Sequence, residues 1–268
     1  MKSMISRRDF IKISSIGSTV VMFPKLVVGN NYKDAEFPLI DYHVHLTSNF
    51  TIEMAVELSK KRNVKFGIVE HPGSNYAIKT DADLNAYINE LRKYHVYVGL
   101  QPIYRNWSKN FSKELLGKLD YILMDAATIP LEDDGHLRIW RRNNYIESVD
   151  GFMELYMEHI ENILKYEPIN IFAMSTYLPI NFARYYDKLW TKERMLKIIE
   201  LAKQRNIALE ISTPLHVPSK EFIVLAKSKG LKFTFGTNAR NNDAGKLHYG
   251  LQMVEECGLT KDDLFQLE

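Results

Sequence analysis

The sequence predicts an α/β chain folded as a single (β/α)7, TIM-like barrel. Three observations predict it. Strand-like apolar runs alternate with segments of helical spacing from about residue 38 to residue 257, which argues for seven βα units and one parallel sheet. Polar residues of uncommon type stand where those strands end: His43 and His45, Glu70 and His71, Gln101, Asp125, Ser175, Glu210, and Asn238 with Arg240. A barrel builds its site at the carboxyl ends of its strands, so it accounts for that placement. No Gly-rich phosphate loop follows the first strand, which counts against an open, doubly wound sheet.

The first strand spans Pro38 to Leu46. Thr51 to Arg62 follows as a helix that Thr51 or Ser48 would cap. Val64 to Glu70 is the second strand, ended by His71-Pro72-Gly73. Asp81 to Tyr94 carries Leu84, Tyr87, Ile88 and Leu91 at helical spacing. His95 to Gln101 is the third strand, Phe111 to Leu116 a short helix and Asp120 to Asp125 the fourth strand. Ala126 to Val149 is long and irregular, a length that in a compact domain usually marks function. Asp150 is the expected cap of a helix running to Lys165. Ile169 to Met174 is the fifth strand, and Ser175 to Trp190 is a Tyr-rich, non-periodic segment. The helix Thr191–Arg205, the strand Ile207–Ile211 and the helix Pro218–Lys229, ended by Gly230, follow in order. Leu231 to Phe235 is the seventh strand, Asp243 to Cys257 the last long helix, and Thr260 caps a final turn.

The formal charge of +2 is unevenly placed. Residues 1–29 hold five of the 35 basic groups and one of the 33 acids, leaving 30 against 32 and a balance near −2 for the rest. That balance gives no reason to expect nucleic acid or an anionic membrane as partner. Ser6-Arg7-Arg8-Asp9-Phe10-Ile11-Lys12 resembles the twin-arginine export signal, with Ile for Leu. The weakly apolar stretch Ile13–Phe23 suits a signal peptide and is too short to span a bilayer. The expected organisation is a signal over residues 1–29, read by the export machinery and sending the protein to the periplasm or otherwise out of the cytoplasm, and a barrel over residues 30–268. Cys257 is the single cysteine, so no internal disulfide is possible.

The chemistry centres on the first strand. Strand alternation puts Asp41, His43 and His45 on one face and Ile40, Tyr42, Val44 and Leu46 on the other. Two imidazoles beside a carboxylate, with the opposite face apolar, point to a metal site. His71 reads as a ligand or a turn cap, and Asp125 as a ligand or a loop anchor. Glu210 shares a face with Ala208 and Ser212; turned inward, it is a buried carboxylate that needs a cation, either a metal or a base such as Arg240. His136, in the long loop, is a candidate acid/base.

A series of motifs then carries a resemblance. Asp41-Tyr42-His43-Val44-His45, Gly67-Ile68-Val69-Glu70-His71, Gly99-Leu100-Gln101, Leu209-Glu210-Ile211-Ser212 and Gly236-Thr237-Asn238-Ala239-Arg240 resemble, in this order, the motifs of the PHP (polymerase and histidinol phosphatase) superfamily. The resemblance covers nearly all of residues 38–260 and implies a distorted seven-stranded barrel with metal-dependent phosphoesterase members. It also implies replacements: Gln101 stands for a metal-binding Glu, Asn238 and Arg240 for a terminal Asp and His, Asp125 and Ser175 for histidines. The implied ligand set is His43, His45, His71 and Asp125, with Glu70 or Glu210 as a further candidate, holding one or two divalent ions, Zn²⁺ or Mn²⁺. Asp125 and His71 are also the candidate catalytic groups, and Asp41, if not a ligand, would orient an imidazole. Gln101, Arg105, Asn238 and Arg240 are the candidate substrate-binding residues.

Two kinds of function follow. The first is an exported hydrolase, a phosphoesterase by resemblance, in which a metal-activated water attacks a small, phosphorylated or carbohydrate-like substrate; an amidohydrolase-like C–O or C–N hydrolase is its nearest relative in chemistry. The second is a ligand-binding barrel that has lost catalysis, motivated by the replaced ligands and by the aromatic stretches Tyr104–Trp107 and Tyr177–Trp190.

Overall fold

The computed structural model describes residues 37–133, 135–142, 146 and 148–267. The export-like segment, residues 1–29, lies outside the described residues, as do Asp134, residues 143–145 and Glu147 of the long stretch Ala126–Val149. The elements in chain order are β1 (Ile40–Val44), α1 (Ile52–Arg62), β2 (Lys65–Glu70), α2 (Asp81–Leu91), β3 (Tyr97–Leu100), α3 (Lys113–Leu116), β4 (Tyr121–Met124), β5 (Thr128–Pro130), β6 (His136–Arg138), α4 (Val149–Tyr166), β7 (Ile171–Phe172), α5 (Tyr186–Leu189), α6 (Lys192–Gln204), β8 (Ala208–Ser212), α7 (Lys220–Ser228), β9 (Phe233–Gly236) and α8 (His248–Cys257). Among the described residues, β1-β2-β3-β4-β7-β8-β9 close into one barrel, and each neighbouring pair is parallel. The predicted seven-stranded α/β barrel is therefore the observed one.

Local chemistry sets the helix starts. Thr51, Ser148, Thr191 and Ser219 each accept a backbone N–H from the first turn of α1, α4, α6 and α7, and Thr80 forms a capping box with Asp83 at α2, satisfying donors that have no partner within the helix. Four expectations differ. The cap of α4 is Ser148, which accepts from Gly151 N at 3.2 Å; Asp150 lies in the first turn instead, where its charge suits the helix dipole. The irregular stretch after β4 contains the antiparallel hairpin β5–β6. β7 is two residues long, because Met174 takes a left-handed backbone (φ 49°) and turns the chain out of the sheet. α8 begins at His248 and not Asp243. Residues 242–245 are pinned elsewhere: Arg62 donates to the carbonyls of Asn242 and Ala244, and Gly245 N donates to Asp41.

The barrel interior is filled below the site. The Tyr121 ring lies across the barrel, and its hydroxyl donates to the Tyr42 carbonyl at 2.6 Å. Gly67 and Gly99 make room for that ring; a Cβ at Gly99 would lie 2.6 Å from Tyr121 Cζ. Tyr42 packs edge-on against Tyr121 at 5.2 Å and against Phe265 of the carboxyl-terminal tail at 5.8 Å. A cavity of about 200 Å³ lined by Phe37, Tyr42, Tyr97, Phe233 and Phe265 opens at this lower end, away from the histidines.

Candidate active site

The first strand does not keep the simple alternation its sequence suggests. Its register against β2 shifts between Asp41 and Val44, a bulge. The cause is local: Asp41 Oδ1 accepts the backbone N–H of His43 at 3.2 Å, which takes that donor out of the ladder. Asp41 also accepts Thr237 N, Thr237 Oγ1 and Gly245 N at 3.0, 2.6 and 2.7 Å. It therefore ties β1 to the turn after β9 and does not sit with the imidazoles. Burial outweighs these donors and pushes its carboxyl up to about 6.

His43, His45 and His71 come together at the carboxyl ends of β1 and β2. The His43 and His45 rings are 5.4 Å apart and the His45 and His71 rings 5.0 Å. His43 is fully buried, and its Nδ1 meets Glu210 Oε2 at 2.7 Å. Glu210 is also fully buried, and its partner is the His43 imidazole rather than Arg240. Gly236, on the strand between them, permits the approach, since a Cβ there would collide with the Glu210 carboxylate. Burial works against protonation of His43, but the Glu210 charge prevails and its pKa is raised. His45 is held well below the usual histidine range, by burial first and then by the neighbouring His43 charge. His71 is lowered too, chiefly by burial. Its Nδ1 lies 2.8 Å from the Gln101 carbonyl. The strand ends at Glu70, so Glu70 and His71 are freed from alternation, and the His71 N–H donates to Glu70 Oε1 at 2.8 Å.

The remaining predicted residues surround this row. Gln101 Nε2 donates to Asp125 Oδ2 at 2.8 Å, and Asp125 Oδ1 accepts Ala127 N at 2.8 Å, so Asp125 anchors the chain after β4 while facing Gln101. Arg240 is exposed and bonds Asn238 Oδ1 at 2.9 Å, and Asn238 takes a left-handed backbone (φ 49°). Although the residue as a whole is exposed, partial desolvation on its inner side lowers the Arg240 pKa, against the charges of Glu70 and Asp125. Arg105 lies beside the buried His159 of α4, and its Nε is buried without a partner; it is not gathered with the histidines. Ser175 is fully buried after β7. His136 lies exposed on the hairpin against Tyr104.

Several buried polar atoms at this mouth have no partner: His43 Nε2, His45 Nε2, Gln101 Oε1, Ser175 Oγ, Glu210 Oε1, Ser212 Oγ and Thr213 Oγ1. Buried polar atoms are normally satisfied, and exceptions of this kind mark places built for something else. Sequence reasoning did not single out Ser212 or Thr213 as site residues; the available signal was their place at the carboxyl end of β8, Ser212 two residues past Glu210 and Thr213 just beyond the strand. The donor chemistry fits a divalent ion: a carboxylate on His43 Nδ1 and a carbonyl on His71 Nδ1 leave each Nε2 as the ligand atom. Among the described residues, however, no group of three or more His, Cys, Asp or Glu side chains is spaced to hold an ion.

Fold and site together define a βα barrel with a row of three histidines at the carboxyl ends of its first two strands. No family model matches the chain, and no curated protein does. Solved structures similar to it include archaeal ribonuclease P with mature tRNA (14% identity, TM-score 0.42, covering 85% of this chain and 96% of that one). A citrate lyase from Burkholderia xenovorans LB400 shows 7% identity and a TM-score of 0.40 over 81% of this chain and 77% of that one. An HpcH/HpaI aldolase from Desulfitobacterium hafniense DCB-2 shows 11% identity and a TM-score of 0.36 over 82% and 95%. Likeness at this level says nothing of activity, and the barrel rests on its own strand pairing. No helix of the described residues is long and apolar enough to cross a membrane.

Proposed function

We propose that the protein is a metal-dependent hydrolase, with phosphoesters the substrate class implied by its resemblance to the PHP superfamily. The observation that carries this reading is the pair of buried, unpartnered Nε2 atoms on His43 and His45, with Glu210 on the far nitrogen of His43. His43, His45 and His71 would hold the ion, and Asp125 stands near. Such an ion supplies a water of lowered pKa and polarises the scissile group. The chain's own residues do the rest. Glu210 fixes the His43 tautomer and makes its free nitrogen more basic. Burial keeps His45 neutral and therefore able to donate a lone pair. Gln101 and Asp125, just past the neighbouring strands β3 and β4, hold one another in place at the mouth. Arg240 brings positive charge to the rim, which favours an anionic substrate.

Metal analysis of the purified protein tests the proposal. We expect at least one tightly bound transition metal, lost in the His43→Ala/His45→Ala double variant, together with hydrolysis of one or more generic phosphoesters. A protein that stays metal-free after incubation with Zn²⁺ and Mn²⁺ would sink it. The open spacing of the ligand side chains favours one second reading, a barrel that binds its ligand without catalysis; that reading expects the metal-free result.

A further inference from the structure

The lower end of the barrel holds a chamber of its own, away from the histidines. The tail past α8 borders it: Phe265 N donates to the Phe233 carbonyl at 2.9 Å, and Leu264 bridges Phe233. The cavity of about 200 Å³ has Ile40, Tyr42, Tyr97, Thr234 and Phe265 among its walls. Its rings stand as aromatic groups prefer. Tyr42 and Tyr97 stack 6.2 Å apart at 14°, and Phe265 meets Tyr42 at 67°. One wall residue does not suit an apolar chamber. Thr234 stands on β9 two residues before Gly236, the position whose Cβ would meet Glu210 inside the barrel, so strand alternation turns Thr234 inward too, one step lower. It is 1% exposed, and its hydroxyl has no partner among the described residues. The Tyr42 hydroxyl, by contrast, donates to the Phe265 carbonyl at 3.4 Å.

We propose that this chamber is a binding site for a small single-ring aromatic carrying one hydroxyl, a phenol-type molecule whose ring lies among Tyr42, Tyr97 and Phe265 and whose O–H pairs with Thr234. Size, walls and polarity agree. An apolar cavity of about 150 Å³ accommodates a benzene ring, and the volume here leaves room for a substituent. Face and edge contacts with three rings favour an aromatic ligand over an alkyl one of equal size. A buried hydroxyl without a partner costs free energy, and a Thr hydroxyl both donates and accepts, so it pairs with a phenol in either sense. Lys261 also borders the cavity but is exposed, so its charge stays hydrated and does not call for an anion. Tyr121 lies across the barrel and bonds the Tyr42 carbonyl, which leaves the chamber apart from the histidine row and the inference independent of the hydrolase reading.

Titration of the full chain with 4-fluorophenol and 4-fluorotoluene, followed by fluorine NMR, tests the inference. We expect saturable binding of both to the wild type. Thr234→Val, which exchanges the hydroxyl for a methyl of similar size, should raise the Kd of 4-fluorophenol about fivefold, the loss of one hydrogen bond, and leave that of 4-fluorotoluene unchanged. Where Thr234→Val lowers the Tm, Phe265→Leu, which keeps the backbone bond to Phe233, decides by weakening both ligands about threefold. Equal 4-fluorophenol affinities in the wild type and the deciding variant overturn the site, and so does a wild type without saturable binding. Binding of the phenol that appears only with added Zn²⁺ places it at the histidines and overturns the site too. Binding that ignores Zn²⁺ and is weakened by Thr234→Val keeps the site, whether or not the histidines hold a metal.

Discussion

His159 shows how far a single buried group governs this protein's response to acid. It is 4% exposed, and neither ring nitrogen has a hydrogen-bond partner. Burial first, and the Arg105 charge second, push its pKa down to about 4 from 6.5. The unfolded chain takes up a proton near 6.5 that the folded chain refuses until about 4. Between those values the unfolded state binds more protons, so stability falls as pH falls, by at most about 3 kcal/mol across the window. Urea unfolding from pH 7 to pH 4 checks this: His159→Leu is expected to flatten the acid limb, and an identical limb in both proteins rules His159 out as its source. At the same scale, the site was partly legible. Two histidines at i and i+2 beside Asp41 announced themselves, and Glu210 read as a buried carboxylate in need of a cation. Its partner did not, because His43 and Glu210 are 167 positions apart and meet only when the barrel closes with Gly236 between them.

Among the elements, those with strong local signals fell where the sequence placed them, and the exceptions have local causes. At α4, Ser148 and Asp150 are both good capping residues two positions apart, and propensity cannot rank them; the hydrogen bond from Gly151 does. Ser148→Ala is expected to lower unfolding free energy by about 1 kcal/mol, and Asp150→Ala by a few tenths, since Asp150 contributes only through the dipole. Urea denaturation separates the two, and the opposite ranking would return the cap to Asp150. At β1 the alternation rule failed because Asp41 hydrogen-bonds two residues ahead and inserts a bulge. A two-residue periodicity assumes that no side chain competes for the ladder, and here one does. At the start of α8, the residues from 243 carry a helical pattern but are held by Arg62 and Asp41 from distant parts of the chain. Long-range hydrogen bonds of this kind leave no trace in a local window.

For the molecule as a whole, the barrel was legible because it depends on order and spacing rather than on any one residue: seven apolar runs, each followed by a return segment, have few ways to close. What the pattern could not reveal is how the barrel is filled. Tyr121 spans the interior over two glycines, on β2 and β3. Gly99→Ala would drive a methyl into that ring and strain its 2.6 Å bond to the Tyr42 carbonyl, at a cost of about 3 kcal/mol. Combined with Tyr121→Leu, the loss should be well short of additive, because the smaller side chain relieves the collision; additive losses by thermal unfolding would mean that Gly99 does not serve Tyr121. The same ring has a kinetic consequence. With its middle stoppered, the barrel is a cup and not a pipe. Under the proposed hydrolase reading, reactant, water and spent product would share one doorway, so each product would have to clear the histidines before a new molecule could reach them, and turnover would be bounded by departure through that rim as much as by bond cleavage beneath it.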